Sequence, residues 1–214
     1  MAQSNQFWDK IAEKYSKQPI ADEAAYQKKL QITREYLQPS MNVLEFGCGT
    51  GSTAIAHAPY VHHIQAIDFS SKMIDIAQAK AAAQNIQNVT FEQASIDELN
   101  VPDSSYDAVL GLNVLHLLEN KEAAIAQVHK MLQPGGCFIT STVCLGDTMA
   151  WFKLIAPVGK VLGLFPLVKI FTVEDLETSL TDAGFEIDTH WQAGDYQSPI
   201  GNAKILFIVA KKPA

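Results

Sequence analysis

The stretch Val43-Leu44-Glu45-Phe46-Gly47-Cys48-Gly49-Thr50-Gly51 constrains this chain more than any other. An apolar run ends on an acid and is followed by glycines at alternate positions, the pattern of a buried strand entering a turn that passes close to a ligand. Without a Cβ at 47, 49 and 51 the main chain takes dihedrals that would otherwise be costly. The short helix expected at 52–57 aims its N-terminus into the same space. Alone, the stretch implies a nucleotide-like cofactor on an α/β sheet and does not choose among cofactors.

The rest of the chain supplies the sheet. Strand patterns occur at 42–46, 63–68, 88–95, 106–110, 137–143, 186–192 and 204–211, and helical periodicity at 5–17, 22–37, 70–85, 121–132 and 172–182. Their alternation predicts a Rossmann-like α/β fold, a seven-stranded and mostly parallel sheet with helices on both faces. Residues 193–202 are too few for a helical crossover and contain Gly194, Pro199 and Gly201, so the final pair of strands is predicted to be antiparallel. A length of 214 residues with 48% hydrophobic content fits a single domain over 1–214, the helices of 1–40 lying over the cofactor cleft.

Residues 150–171 break the alternation. Apolar side chains crowd there, interrupted by Pro157, Pro166, Lys153, Lys160 and Lys169, which argues against a spanning helix. The segment 145–171 reads as an apolar helical insertion before the last helix. A lid over the site, transient contact with a membrane surface and ordinary core packing stay open as its role.

Asp68 ends the second strand, 21 residues beyond Gly47. A carboxylate there accepts two hydrogen bonds from a vicinal diol, the ribose contact of dinucleotide folds. The competing role is an N-cap for the next helix, which Ser70 and Ser71 also offer.

The net charge of -7 and scattered basic residues, Lys28-Lys29 and Lys211-Lys212 being the only adjacent pairs, argue against a nucleic-acid partner. Cys48, Cys137 and Cys144 have no zinc or redox spacing and read as reduced, buried thiols, and the histidines show no ligand spacing, so no metal is expected. The first residues have neither a basic start nor an apolar core, which favours a cytoplasmic location.

Four stretches carry a resemblance in order: Glu45 to Gly51, Asp68 to Met73, Tyr106 to His116 and Leu132 to Gly136. Together they resemble the successive motifs of class I S-adenosylmethionine-dependent methyltransferases, most of all the small-molecule branch that includes ubiquinone and menaquinone biosynthesis enzymes. Phe7 to Tyr15 is similar to that branch's N-terminal helix and Thr172 to Phe185 to its last helix and turn. The resemblance implies S-adenosyl-L-methionine as cofactor, with Gly47, Gly49 and Glu45 at its methionine end. It implies Asp68 on the ribose, Phe69 and Met73 flanking the adenine, Ser95 and Ile96 at the adenine edge, and the Asn113 carbonyl toward the amino group. Ser95 departs from the family's usual Asp, so that either Asp97 reaches in or adenine is held more weakly.

The implied activity is methyl transfer to a small, apolar or aromatic acceptor. Such chemistry needs a base only for a protonated acceptor. His116, after the fourth strand and expected to titrate near neutrality, is the first candidate, with Tyr15 and His190 behind it. A packed histidine is the alternative for His116. Two rival functions stand beside this one. A catalytically silent, cofactor- or partner-binding relative is one, and an NAD(P)-dependent reductase is the other, although that fingerprint wants glycine where Ser52 stands.

Overall fold

The computed structural model describes residues 2–150, 167–198 and 201–214, with side chains at 6–150, 167–194 and 203–214. Its strands are β1 (Asn42–Phe46), β2 (His63–Asp68), β3 (Val89–Gln93), β4 (Tyr106–Leu112), β5 (Leu132–Cys144), β6 (Glu186–Ser198) and β7 (Gly201–Lys211). They form one seven-stranded sheet in the order β3-β2-β1-β4-β5-β7-β6. Neighbours from β3 to β5 run parallel, and β7 is antiparallel to both β5 and β6. The expected mostly parallel sheet with an antiparallel last strand is therefore what the chain forms.

Six helices surround it among the described residues: α1 (Ala2–Ser16), α2 (Glu23–Tyr36), α3 (Ser52–His57), α4 (Ser71–Ala83), α5 (Lys121–Met131) and α6 (Val173–Asp182). Side chains alternate across each strand and so build two cores. Leu44, Phe46, Val109 and Phe138 meet Ile125, Val128, Leu176 and Leu180 of α5 and α6 on one face. On the other, Val43, Leu110 and Ile139 meet Leu37, Ile55, Ile74 and Ala77 beneath α2, α3 and α4. Each large apolar side chain so buried contributes about 1.5–3 kcal/mol.

Helix starts follow the local sequence. Asp22, Ser70 and Asn120 accept the amides of Ala25, Met73 and Ala123, and Thr172 with Asp175 completes a capping box. Each such cap is worth about 1 kcal/mol.

Strand boundaries differ from expectation most in β3, β5, β6 and β7. β3 covers Val89–Gln93 and not 88–95, because the Asn88 side chain donates through Nδ2 to the Ala58 carbonyl at 2.8 Å and Ser95 opens a turn closed by the Glu98 amide at 3.1 Å. β5 begins at Leu132, since Gly135 and Gly136, expected only to stop a helix, exchange main-chain bonds with Lys212 at 3.0 and 2.8 Å. β6 and β7 run on until Ser198 faces Gly201, an irregularity between Gln192 and Asp195 absorbing Gly194 at φ 124°.

The segment inserted before α6 leaves and rejoins the domain at one place, where the Gly146 amide donates to the Phe171 carbonyl at 2.8 Å. Residues 151–166, most of the apolar cover expected at 150–171, lie outside the described residues. No helix among the described residues is long and apolar enough to cross a membrane.

Candidate active site

The C-terminal ends of β1, β2, β3 and β4 meet along one edge of the sheet, the edge at which open parallel sheets bind ligands. The glycine turn leaves β1 there, its Cys48 amide bonded to the Ile67 carbonyl at 3.0 Å. Gly47 and Gly49 have φ of 64° and 53°. A Cβ on Gly47 would meet Val114 Cγ2 at 2.5 Å, whereas one on Gly49 would meet nothing within 4 Å. Gly47 therefore serves packing against the chain that leaves β4, and open space lies over Gly49.

Two carboxylates lie at this end of the sheet, close enough for the charge of one to act on the other. Asp68, 8% exposed, accepts the Gly49 amide through Oδ2 and the Ser70 amide through Oδ1, both at 2.9 Å. Burial raises its pKa and these two bonds oppose the rise. The helix cap that competed for Asp68 in the sequence is made by Ser70 Oγ, which accepts the Met73 amide at 3.2 Å. Glu45, 3% exposed, has its Oε2 buried with no partner. Burial first, and the Asp68 charge second, push its pKa up to about 8.

α1 lies across the same edge. Asp9 Oδ1 accepts from Ser70 Oγ at 2.6 Å and from the Lys72 amide at 3.3 Å. Trp8 meets Phe7 and Tyr15 edge to face. Tyr15 is 47% exposed, and burial of its hydroxyl end together with the Asp68 charge raises its pKa. The phenol therefore stays protonated at neutral pH.

On the β4 side Asn113 adopts φ 57°, its amide bonded to the Ser141 carbonyl at 2.6 Å. Ser141 Oγ lies 3.5 Å from Asn113 Oδ1, and Lys29 of α2 donates to that hydroxyl at 3.0 Å. Burial lowers the lysine's pKa and Asp22 partly opposes it.

Glu45, Gly47, Gly49, Asp68, Phe69 and Asn113 thus gather at one edge, with Ser95 and Ile96 just after β3. Met73 and Ile96 are closed to solvent, at 2% and 3% exposure. Ser95 Oγ accepts the Asp97 amide at 3.3 Å, so its hydroxyl remains free to donate.

His116 departs from expectation in its titration. Its ring, 3.0 Å from Thr142 Oγ1 through Nδ1, is desolvated, and its pKa is pushed down to about 4 and not near neutrality. Thr142 shares the α5–α6 face with Phe138 and Thr140, opposite to Glu45 and Ser141. His190 sits on the outermost strand, bonded to Glu177 at 2.6 Å, away from the carboxylates. Among the described residues no cluster of His, Cys, Asp and Glu is suited to a metal ion.

Sequence reasoning did not single out Lys29, Ser141 or the Asp9 bridge. Lys29 is next to the buried Leu30 in a lysine pair, a weak sign that it turns inward. Asp9 and Ser141 give no local sign.

Residues 43–136 match the family model described as Methyltransferase domain. An uncharacterised methyltransferase of Bacillus subtilis, YcgJ, is 29% identical over 110 residues, 51% of this chain and 44% of its own. The 27-O-demethylrifamycin SV methyltransferase of Amycolatopsis mediterranei is 27% identical over 165 residues, 76% of this chain and 60% of its own. The malonyl-[acyl-carrier protein] O-methyltransferase of Bacillus cereus is 33% identical over 105 residues, 48% of this chain and 38% of its own. The chain therefore spans between 38% and 60% of the length of these three relatives. The crystal structure of Bacillus subtilis YcgJ superposes with a TM-score of 0.73 at 16% identity, covering 88% of this chain and 99% of that one, which shows a shared fold.

Proposed function

We propose that the chain transfers a methyl group from S-adenosylmethionine to a small, apolar or aromatic acceptor, a reading supported by the match of residues 43–136 to the Methyltransferase domain model and by the fold shared with YcgJ. The observation that carries this reading is the buried, unpartnered Glu45 oxygen in the strand that leads into the glycine turn. A carboxylate so desolvated gains most from a cationic ligand, and the cofactor brings an ammonium and a sulfonium. A nicotinamide dinucleotide offers no ammonium to this acid, and Ser52 stands where its fingerprint wants glycine.

The residues fit the cofactor along its length. Glu45 and the Asn113 carbonyl take the amino group, and the turn at Gly47 and Gly49 takes the methionine end. Asp68 takes the ribose hydroxyls, exchanging its bond to the Gly49 amide for them. Phe69, Met73, Ser95 and Ile96 surround the adenine. Bound there, S-adenosylmethionine supplies a methyl already activated on sulfur, so the protein's contribution is alignment and exclusion of water. α1, tied down by Asp9, closes the cleft as part of a single domain over 1–214, and brings Tyr15 within range of the Asp68 charge. His116, neutral down to about pH 4, is held by Thr142 as a packing residue of the β4 turn.

The apolar insertion at 145–171 supports an apolar acceptor, and Cys48, Cys137 and Cys144, all free and buried, go with a reducing, cytoplasmic setting. Incubation with methyl-labelled S-adenosylmethionine and a panel of quinols, phenols, carboxylic acids and amines tests the reading. Label entering at least one acceptor is expected. Cofactor binding with no transfer to any of them would favour the catalytically silent alternative.

A further inference from the structure

Lys29 is a half-buried cation at the mouth of the site that, among the described residues, has no carboxylate in ion-pair contact, Asp22 acting on it only from a longer range. Among the described residues its ammonium has one hydrogen-bond partner, Ser141 Oγ at 3.0 Å, and it joins no ion pair. An ammonium carries three donors, so among the described residues two are left for a ligand. Ser141 is 0% exposed and fixed by its main chain to Asn113. The built polar group beneath Lys29 is thus rigid.

The sheet register places this cation relative to the carboxylates. Glu45 pairs with Leu110, Leu110 with Ile139, and Ser141 lies two residues further toward the ligand-binding edge on the same face. Two strand spacings and two residues of rise separate Ser141 from Glu45 by about 12 Å of backbone. α2 spans that distance. Tyr26 feels the Glu45 charge and bonds Thr53, and Lys29, about one turn on, reaches Ser141.

The cleft is therefore acidic over β1 and β2 and cationic over β4 and β5. A sulfonium drawn to the acidic end and an ammonium at the other repel each other across the gap unless a negative group lies between them. A nucleophile approaching the methyl supplies that group.

We propose that Lys29, oriented by Ser141, binds an anionic oxygen of the methyl acceptor, a phenolate, enolate or carboxylate, and so selects acidic-oxygen acceptors over amines. This rests on the methyl-transfer function proposed above. The acceptor oxygen forms its bond to the methyl carbon as the sulfur–carbon bond breaks and its electron pair returns to sulfur. Anion and sulfonium both end neutral, no proton is released, and no base is required.

Calorimetry on protein saturated with S-adenosylhomocysteine tests this with 4-nitrophenolate and benzoate against their neutral counterparts 4-nitroanisole and benzamide. The expected result is at least about tenfold tighter binding of the anions by the wild type, an increment of about 1.4 kcal/mol. Lys29→Met and Lys29→Ala erase that preference, Lys29→Arg retains most of it, and Ser141→Ala weakens it. The affinity of each variant for S-adenosylhomocysteine is expected to be unchanged, which also reports that it folds. Absent or equal binding of the anions, or a preference that survives in Lys29→Met, overturns the proposal. A loss of S-adenosylhomocysteine affinity in Lys29→Met overturns it too, by assigning the lysine to the cofactor's own carboxylate. Failure of the wild type to bind S-adenosylhomocysteine would instead sink the methyl-transfer reading beneath it.

Discussion

Glu45, next to last in β1, and Asp68, last in β2, lie on adjacent parallel strands, and of the two only Asp68 has both carboxylate oxygens hydrogen-bonded, to the Gly49 and Ser70 amides at 2.9 Å. Glu45 keeps one oxygen buried and unpartnered. The pair stores an electrostatic cost in the free protein that a ligand cation relieves.

That cost has a pH signature. Glu45 holds its proton to about pH 8 when folded and to about 4.5 when unfolded. Between those values the folded chain binds more protons, so its stability falls as pH rises through the window. Glu45→Gln is expected to flatten this slope in thermal melts. A cofactor cation binds the ionised form, so S-adenosylhomocysteine affinity rises between about pH 5.5 and 7.5 by up to about tenfold per unit, with proton release seen as a buffer-dependent enthalpy. In Glu45→Gln both effects vanish and affinity drops.

The two glycines respond differently to substitution. Gly49→Ala places its methyl in open space at φ 53° and is expected to cost only about 1–2 kcal/mol of stability while reducing cofactor affinity at least tenfold. Gly47→Ala adds a collision with Val114 at 2.5 Å to its strain and destabilises more. Val114→Ala in the same chain restores part of that loss, as chemical denaturation will measure.

His57 sets a limit at low pH. It is 0% exposed with both ring nitrogens unpartnered, and burial, with Arg34 adding to it, pushes its pKa down to about 4. The unfolded chain binds this proton near pH 6.5, so stability present above 6.5 is lost as pH falls toward 4, by about 3 kcal/mol at most. His57→Leu is expected to melt higher than wild type at pH 5 and to narrow the gap between pH 5 and pH 7.

Removing a general base typically costs about 10²–10⁴-fold in rate. His116→Gln, which keeps a polar partner for Thr142, is expected to change turnover by no more than about threefold. A loss of a hundredfold or more, with cofactor affinity intact, would restore the imidazole to the chemistry. Tyr15→Phe is expected to act on cofactor affinity and leave the pH profile of turnover in place.

The sheet order, the glycine turn and Asp68 were legible because each has a local cause: alternation of apolar residues, missing Cβ atoms, and an acid where a strand runs out. The early start of β5 was not, because Gly135 and Gly136 join the strand only through main-chain bonds to Lys212, about 75 residues away in the chain. Lys29 escaped notice for a related reason. Its neighbour Lys28 lies over the Trp191 ring at 4.0 Å on β6, and only the adjacent Leu30 weakly distinguishes that outward lysine from the inward one. His116 was misjudged in its titration because solvent access, which decides an imidazole's pKa, is set by Thr142 and the packing around the β4 turn.

The central claim is that the turn at Gly47 and Gly49, with Glu45 and Asp68, is a cradle for S-adenosylmethionine. Titration calorimetry of S-adenosylhomocysteine and of NAD into the wild type and Asp68→Ala tests it most directly. One S-adenosylhomocysteine per chain, no heat from NAD, and at least about tenfold weaker binding in Asp68→Ala are predicted. Tight binding of NAD with none of S-adenosylhomocysteine would contradict it.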